Sequence, residues 1–573
     1  MKLSRIRTYK RERERERETA ERREDEEEET KGMNETNDCW KTQLLAWLRR
    51  QTEDVDCDSC LRLTDESEHH LRTLARRIKV AGLVYATWTS KGADPAAVAN
   101  TFVDGRMKSI ENFVTEVASE EANETSHEEE EGEEESLENL SEELEVRDAE
   151  NLSYEEFWLK YMLANKPVII RGVTRTWKAS REWVKPEGGI DDDLLVEYFG
   201  QALVWVTHCK ESAGKVPGER EQWTFREYMK YWKKYSSGKL RTCGPNEDSS
   251  SSSPLPLLYL KDWHFPTEFA EYGAYVTPTY FSDDWLNEYY DYLQREKNVS
   301  SGCCNAKGNH KDQQDQQETQ QSLEQSDYRF LYLGLEGTKT GLHADVLRSF
   351  SWSVNISGKK RWYLLSPKFT HLLYDTFGRN LASSFFDVDE QVFPNIKHAR
   401  KHLVEVIQDV GEAIFVPSGW HHTVENLEDT LSINHNWFNA CNINYSWELL
   451  QRERHEAEQA ICDCRSMCAN EDEFEELVQK NVTANASMNY ENFASLLMMI
   501  AEERVKCICR KQSESKEPGI ECLMWAYEAK MAYAILPRLI EKIPDGAFKA
   551  KIRSAMEDIR IALPHVNFQF KPK

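Results

Sequence analysis

Val410-Gly-Glu-Ala-Ile-Phe-Val-Pro417 runs directly into Ser418-Gly-Trp-His421-His422. Gly411 marks a turn, Ala413–Val416 is uninterrupted apolar sequence, and Pro417 ends the run because proline cannot donate into a β ladder. A short apolar run between Gly and Pro reads as a buried strand. Such a strand delivers Trp420, His421 and His422 to the mouth of a barrel, a common place for a site. Working outward, similar runs recur on both sides: Phe330–Leu333, Phe350–Ile356, Lys360–Leu365, Leu403–Ile407 and Leu431–Asn434. Most are bounded by Gly, Pro, Asn or Asp. Strands of this length and rhythm predict a mostly β core, a sandwich or jelly-roll barrel.

The rest of the 573-residue chain divides by composition. Residues 1–36 are a charged low-complexity tail, predicted to be disordered, in which Arg11–Glu18 alternates Arg and Glu. Residues 37–120 have helical spacing, as in Trp40, Leu44, Leu45 and Leu48, and carry no motif with a readable role. Residues 121–150 read as an acidic linker. Ser153 and Glu156 have the spacing of a capping box, Lys166–Gly172 and Leu203–Val206 read as strands, and Trp223–Met229 reads as a helix with core aromatics. Asn246–Pro256 is a Ser-rich loop, and 298–326 is a Gln- and Asp-rich disordered insertion in a catalytic region spanning 151–445. Residues 446–573 return to amphipathic helix, with Phe493, Leu496, Leu497 and Ile500 on one stripe.

Charge and cysteine usage narrow the partners. The formal charge of −27 argues against direct nucleic-acid binding, which needs clustered cations. It suits a basic or lysine-bearing protein surface. No apolar run approaches a membrane span, and the start of the chain has no apolar core of a secretory signal. The 14 Cys therefore read as reduced thiols of the cytoplasm or nucleus; Met1–Arg17 is basic enough to imitate a nuclear address. Cys57-x-x-Cys60 has no second pair to complete a zinc site, and Cys462, Cys464, Cys468, Cys507 and Cys509 lack zinc spacing. The oligomeric state is not legible.

Two short stretches carry chemistry. In Gly341-Leu-His343-Ala-Asp345 the His and Asp are two apart, so on a strand they leave one face and can reach one cation. A later His would complete a 2-His-1-carboxylate set, which suits Fe(II) and leaves open coordination positions. His421 and His422 are adjacent, so a strand sends them to opposite faces and one alone can be the ligand. His435 reads as structural. Alternation places Lys360, Trp362 and Leu364 on one face, and a lysine turned inward beside aromatics needs an anionic partner.

Taken together, Thr340-x-x-His343-x-Asp345, Gly358-x-Lys360-Arg-Trp362 and Gly411-Glu-x4-Pro417-Ser-Gly-Trp-x-His422-x-Val424-x-Asn426 closely resemble the JmjC (Jumonji C) 2-oxoglutarate oxygenases. Pro167–Gly172 and Trp177 resemble that family's entry strand and loop. The likeness runs from about residue 152 to 445. It implies a double-stranded β-helix (jelly-roll, cupin-like) core with surrounding helices and a helical C-terminal region. It implies His343, Asp345 and His422 as ligands of Fe(II), with 2-oxoglutarate and O2 as co-substrates. Lys360 would hold the distal carboxylate, Thr340 would support it, and Asn436 would line the pocket. Where related hydroxylases often carry Asn, this chain has Ser353, with Asn355 two residues on, and either could reach the co-substrate.

Tyr259–His264, Tyr280–Asn287, His343–Trp352 and Trp420–Trp437 match one branch of the family more closely, a branch associated with lysyl hydroxylation of a translation release factor. The resemblance thus implies a protein lysyl hydroxylase with that factor as partner. The rival readings are a histone lysine demethylase, a cupin-like scaffold without catalysis, and a hydrolytic zinc site.

Overall fold

A computed structural model describes residues 144–210, 215–236, 256–303, 327–514 and 520–562. The charged tail, the 37–120 region, Cys57 and Cys60, nearly all of the Ser-rich loop and most of the Gln-rich insertion lie outside the described residues. Residues 144–496 belong to one compact unit and 497–562 to another.

The first unit is built on thirteen strands: β1 Val146–Asp148, β2 Val168–Arg171, β3 Leu203–His208, β4 Arg220–Thr224, β5 Leu258–Trp263, β6 Arg329–Gly334, β7 Lys339–His343, β8 Phe350–Ser357, β9 Lys360–Leu365, β10 Leu403–Gln408, β11 Glu412–Val416, β12 His421–Asn426 and β13 Thr430–Trp437. They form a nine-stranded sheet, ordered β1-β2-β11-β8-β13-β6-β5-β3-β4, and a four-stranded sheet, ordered β10-β9-β12-β7. From β6 to β13 the chain visits the two sheets in the jelly-roll order, and every pairing within that octet is antiparallel. This is the expected double-stranded β-helix. β1 and β2, paired in parallel, extend the large sheet at one edge, and β5, β3 and β4 extend it at the other.

The alternation Phe350-Ser-Trp-Ser-Val-Asn-Ile356 determines what each face of the large sheet meets. Its apolar members point outward into a helical and aromatic layer. Phe281 stacks on Trp352 at 5.3 Å, and Phe157 meets Phe415 edge-on at 5.1 Å. Contacts of this kind add about 0.5–1.5 kcal/mol each beyond area burial. The polar members, Ser351, Ser353 and Asn355, point into the barrel, opposite Asn436, Asn434 and Ser432 of β13. Nearer one rim the interior is apolar, with Trp362, Leu364 and Val406 packing on Ile414, Val416 and Ile169. A barrel whose outer face is covered can keep a polar floor inside, and β13 is buried along its whole length.

Several local readings differ from the structure. β1 lies inside the segment read as acidic linker, because Val146–Asp148 finds the free edge of β2. Trp223 and Thr224 end a strand, and the helix starts at Phe225 and runs to Ser236. The Trp285–Cys303 helix continues past Asn298, where the insertion was expected to begin. Ser153 accepts from the Glu156 backbone N–H at 3.2 Å, but the Glu156 carboxylate pairs with Arg147 and Lys160 rather than closing the box.

In the second unit the helix that starts at Tyr490 continues to Glu514, followed by helices Ile520–Ile540 and Ala547–Ala562. Ile508 and Ala526 are buried with Trp525 against them, and Arg504 pairs with Glu528 inside the unit. Among the described residues no helix is long and apolar enough to cross a membrane.

Candidate metal and co-substrate site

β7 ends at His343 and β12 begins at His421, so both open onto the same end of the barrel. His422 pairs directly with His343 across these strands, and their rings lie 4.3 Å apart. Each imidazole is oriented alike. His343 Nδ1–H donates to the Gly341 carbonyl at 2.8 Å, and His422 Nδ1–H donates to the Trp420 carbonyl at 3.0 Å. Those bonds leave both Nε2 lone pairs free on one side. Burial first, and the neighbouring His422 second, push the His343 pKa down to about 4, so the ring is neutral, as a metal ligand must be.

Asp345 lies just beyond the strand rather than on it. Its backbone is still extended (φ −56°, ψ 147°) before a single turn of helix at Val346–Arg348. The carboxylate is held at both oxygens: Ser351 Oγ donates to Oδ2 at 2.7 Å and Asn436 Nδ2 donates to Oδ1 at 2.9 Å. Ligand atoms of His343, Asp345 and His422 all lie within 4.8 Å of one another, and among the described residues they are the group of three that can hold a metal. The scattered late cysteines form no such group there.

His421 points the other way, as strand alternation requires. It is buried against Thr370, with Nδ1 3.3 Å from Oγ1. Burial, with Arg348 nearby, keeps it neutral down to about pH 3. His435 packs on Trp352 at 4.2 Å and bonds Tyr275, away from the triad.

Deeper in the barrel, the side chain of Lys360 is 2% exposed and donates to Ser432 Oγ at 2.6 Å. No carboxylate pairs with it among the described residues, and burial pushes its pKa down to about 7. A buried ammonium without an acid is costly unless an anion arrives to meet it. Thr340 and His343 are three apart, which strict alternation would send to opposite faces. A register shift between His422 and Val424 pairs Thr340 with Val424 and His343 with His422, so both face inward. The Asn355 Nδ2 donates to the Gly358 and Gln408 carbonyls, whereas its Oδ1 and the buried Ser353 hydroxyl have no partner among the described residues. Of the two, Ser353 keeps a free donor and Asn355 a free acceptor. Asn436 acts on Asp345 and on Ser349 Oγ, a bond of 3.1 Å, rather than on an open pocket wall.

Sequence reasoning missed Ser351, which holds the second Asp345 oxygen. The signal was present in the period-2 run Ser351, Ser353, Asn355, whose polar side is interior. The donor set of two imidazoles and one carboxylate fits Fe(II), and the unpaired Lys360 with the orphan Ser353 hydroxyl fits a dicarboxylate beside it.

A family model described as a cupin-like domain matches residues 154–443, just over half of the chain. Three relatives match over longer shares of their own length. Arginine-specific demethylase JMJ20 of Arabidopsis thaliana is 40% identical over 61% of this chain and 68% of its own. The 2-oxoglutarate and iron-dependent oxygenase JMJD4 of Gallus gallus is 36% identical over 63% and 74%, and that of Homo sapiens is 31% identical over 72% and 89%. The chain belongs to the cupin-like JmjC family. The cofactors expected of this JmjC protein, Fe(II) with 2-oxoglutarate and O2, agree with the dependence in the JMJD4 names.

Proposed function

We propose that this chain is an Fe(II)- and 2-oxoglutarate-dependent protein hydroxylase that adds one oxygen to a lysine side chain. The observation that carries the reading is the buried, acid-free ammonium of Lys360 in the same barrel as the His343–Asp345–His422 cluster. His343 and His422 would present Nε2 to the metal, and Asp345 would be the third ligand, held in place by Ser351 and Asn436. Lys360 would bind the distal carboxylate, with Thr340 and Ser353 within the same lining. Trp362, Leu364 and Val424 keep the neighbouring interior dry, which strengthens each polar contact there. When bound, iron with 2-oxoglutarate and O2 supplies oxidation of a C–H bond coupled to decarboxylation of 2-oxoglutarate to succinate and CO2.

Lysine as the target and a translation release factor as the substrate rest on the branch motifs, among them Tyr259–His264 and Trp420–Trp437. The acidic chain suits a lysine-bearing partner. We place its work in the cytoplasm, with the nucleus as the second compartment. A second reading, demethylation, is favoured by the 40% identity to a relative named as an arginine-specific demethylase. Mass spectrometry of the release factor and of methylated histone peptides, each incubated with the protein, separates them. A stable gain of one oxygen on lysine supports hydroxylation, and loss of a methyl group supports the rival.

A further inference from the structure

A second lysine faces this interior. β5 and β6 pair at Tyr259 with Gly334 and at Leu260 with Leu333, and then the register slips before Trp263 pairs with Leu331. Lys261 and Asp262 together therefore oppose the single residue Tyr332, in a bulge where Asp262 adopts φ +54°. Bulges re-aim side chains. Here Tyr332 Oη donates to Asp262 Oδ1 at 2.8 Å, and Arg220 donates to Oδ2 at 2.6 Å, so the one adjacent acid is engaged on both oxygens. Lys261 is left with no hydrogen bond or ion pair among the described residues.

The two lysines flank one pair of rings. Lys360 Nζ lies 5.9 Å from the Tyr332 ring, Tyr332 meets Tyr259 at 6.1 Å, and Lys261 Nζ lies 5.7 Å from the Tyr259 ring. Tyr259 is buried and Tyr332 half-buried, and the charge of Lys261 disfavours that of Lys360. Lys360 meets the polar floor at Ser432, and Lys261 lies by the Tyr259 ring with the adjacent acid, Asp262, already engaged.

We propose that Lys261 is a second ammonium for the distal carboxylate of the co-substrate, so that Lys360 and Lys261 grip it as a pair across the Tyr259–Tyr332 rings. The inference rests on the co-substrate reading above. It adds a specificity: the pocket selects dicarboxylic over monocarboxylic 2-oxo acids through two charges, one of them on a strand outside the eight-strand barrel.

The test uses the full chain loaded with Mn(II), a redox-silent probe, and calorimetric titration with 2-oxoglutarate and with the monocarboxylate 2-oxobutyrate. Lys261→Met is expected to weaken 2-oxoglutarate on the order of tenfold, to leave 2-oxobutyrate within about twofold, and not to lower the melting temperature of the ligand-free protein, because a charge disfavoured by burial is removed. Lys261→Arg should fall between. Unchanged 2-oxoglutarate affinity in Lys261→Met, or equal weakening of both acids, overturns the lysine pair. If Lys360→Met loses 2-oxoglutarate while Lys261→Met does not, the pair alone fails and the co-substrate reading stands. If the wild-type chain takes Mn(II) but no 2-oxoglutarate, both fail.

Discussion

Replacing Lys360 by Met should stabilise the ligand-free protein while abolishing its grip on the co-substrate. A lysine that ordinarily titrates at 10.5 and here titrates at about 7 carries a disfavour of about 5 kcal/mol for its charged form. The cause is burial beneath Tyr332, with a Ser432 hydroxyl in place of an acid. Met fills similar volume without that charge, so unfolding at pH 7 should become harder by roughly 2–4 kcal/mol after relaxation. The sign with pH follows. Between about pH 7 and 10.5 the unfolded chain holds the Lys360 proton more tightly than the fold does, so wild-type stability gains from this group as pH rises through that window. The Met variant should lack that contribution. Binding moves the opposite way. Loss of a charge-assisted bond is worth about 1.5–3 kcal/mol, and a carboxylate left unpaired in the barrel costs more, so 2-oxoglutarate affinity should fall at least about 100-fold. Urea denaturation from pH 6.5 to 10 and titration of the Mn(II) form read both effects. Destabilisation on the scale of a core truncation, or affinity within about threefold of wild type, would refute the reasoning.

Other outcomes follow from the same geometry. Asn436→Ala frees one oxygen of Asp345 and should cost about 10–100-fold in metal affinity or turnover, measured by metal titration. His422→Ala should lose metal binding while His421→Ala keeps it, since His421 faces Thr370; the reverse order contradicts the strand assignment. In calorimetry, 2-oxoglutarate affinity should fall about tenfold per pH unit above about 7, because Lys360 must gain a proton to meet the ligand; a flat profile to pH 9 counts against this. Gly358→Ala should destabilise by about 2 kcal/mol or more, read by denaturation. Gly358 has φ +78°, and an added Cβ would sit 2.4 Å from the Asp429 carbonyl, disturbing the two-residue crossing that leads into Lys360.

The barrel was legible because its strands announce themselves: Ala413–Val416 as a bounded apolar run, and Phe350–Ile356 and Lys360–Leu365 by alternation. Period 2 put His343 with Asp345 and turned Lys360 to the side of Trp362, but the choice of His422 over His421 came from the family resemblance. Alternation does not tell which face is inside. Ser351, Ser353 and Asn355 look like a solvated edge in sequence, yet helices and aromatics cover the other face and turn them inward. Nor does it foresee slips of register. The shift that brings Thr340 to the side of His343, and the one that aims Lys261, arise between strands distant in sequence. β1 was lost in an acidic segment because its pairing comes from the exposed edge of β2 rather than from its own composition.

The most direct test of the central claim is incubation of the release factor with the Fe(II)-loaded protein, 2-oxoglutarate and isotopically labelled O2. One labelled oxygen should appear on a lysine side chain and another in succinate, and both should vanish in Asp345→Ala. Label absent from the lysine while 2-oxoglutarate is consumed, or turnover that survives in Asp345→Ala, would contradict it.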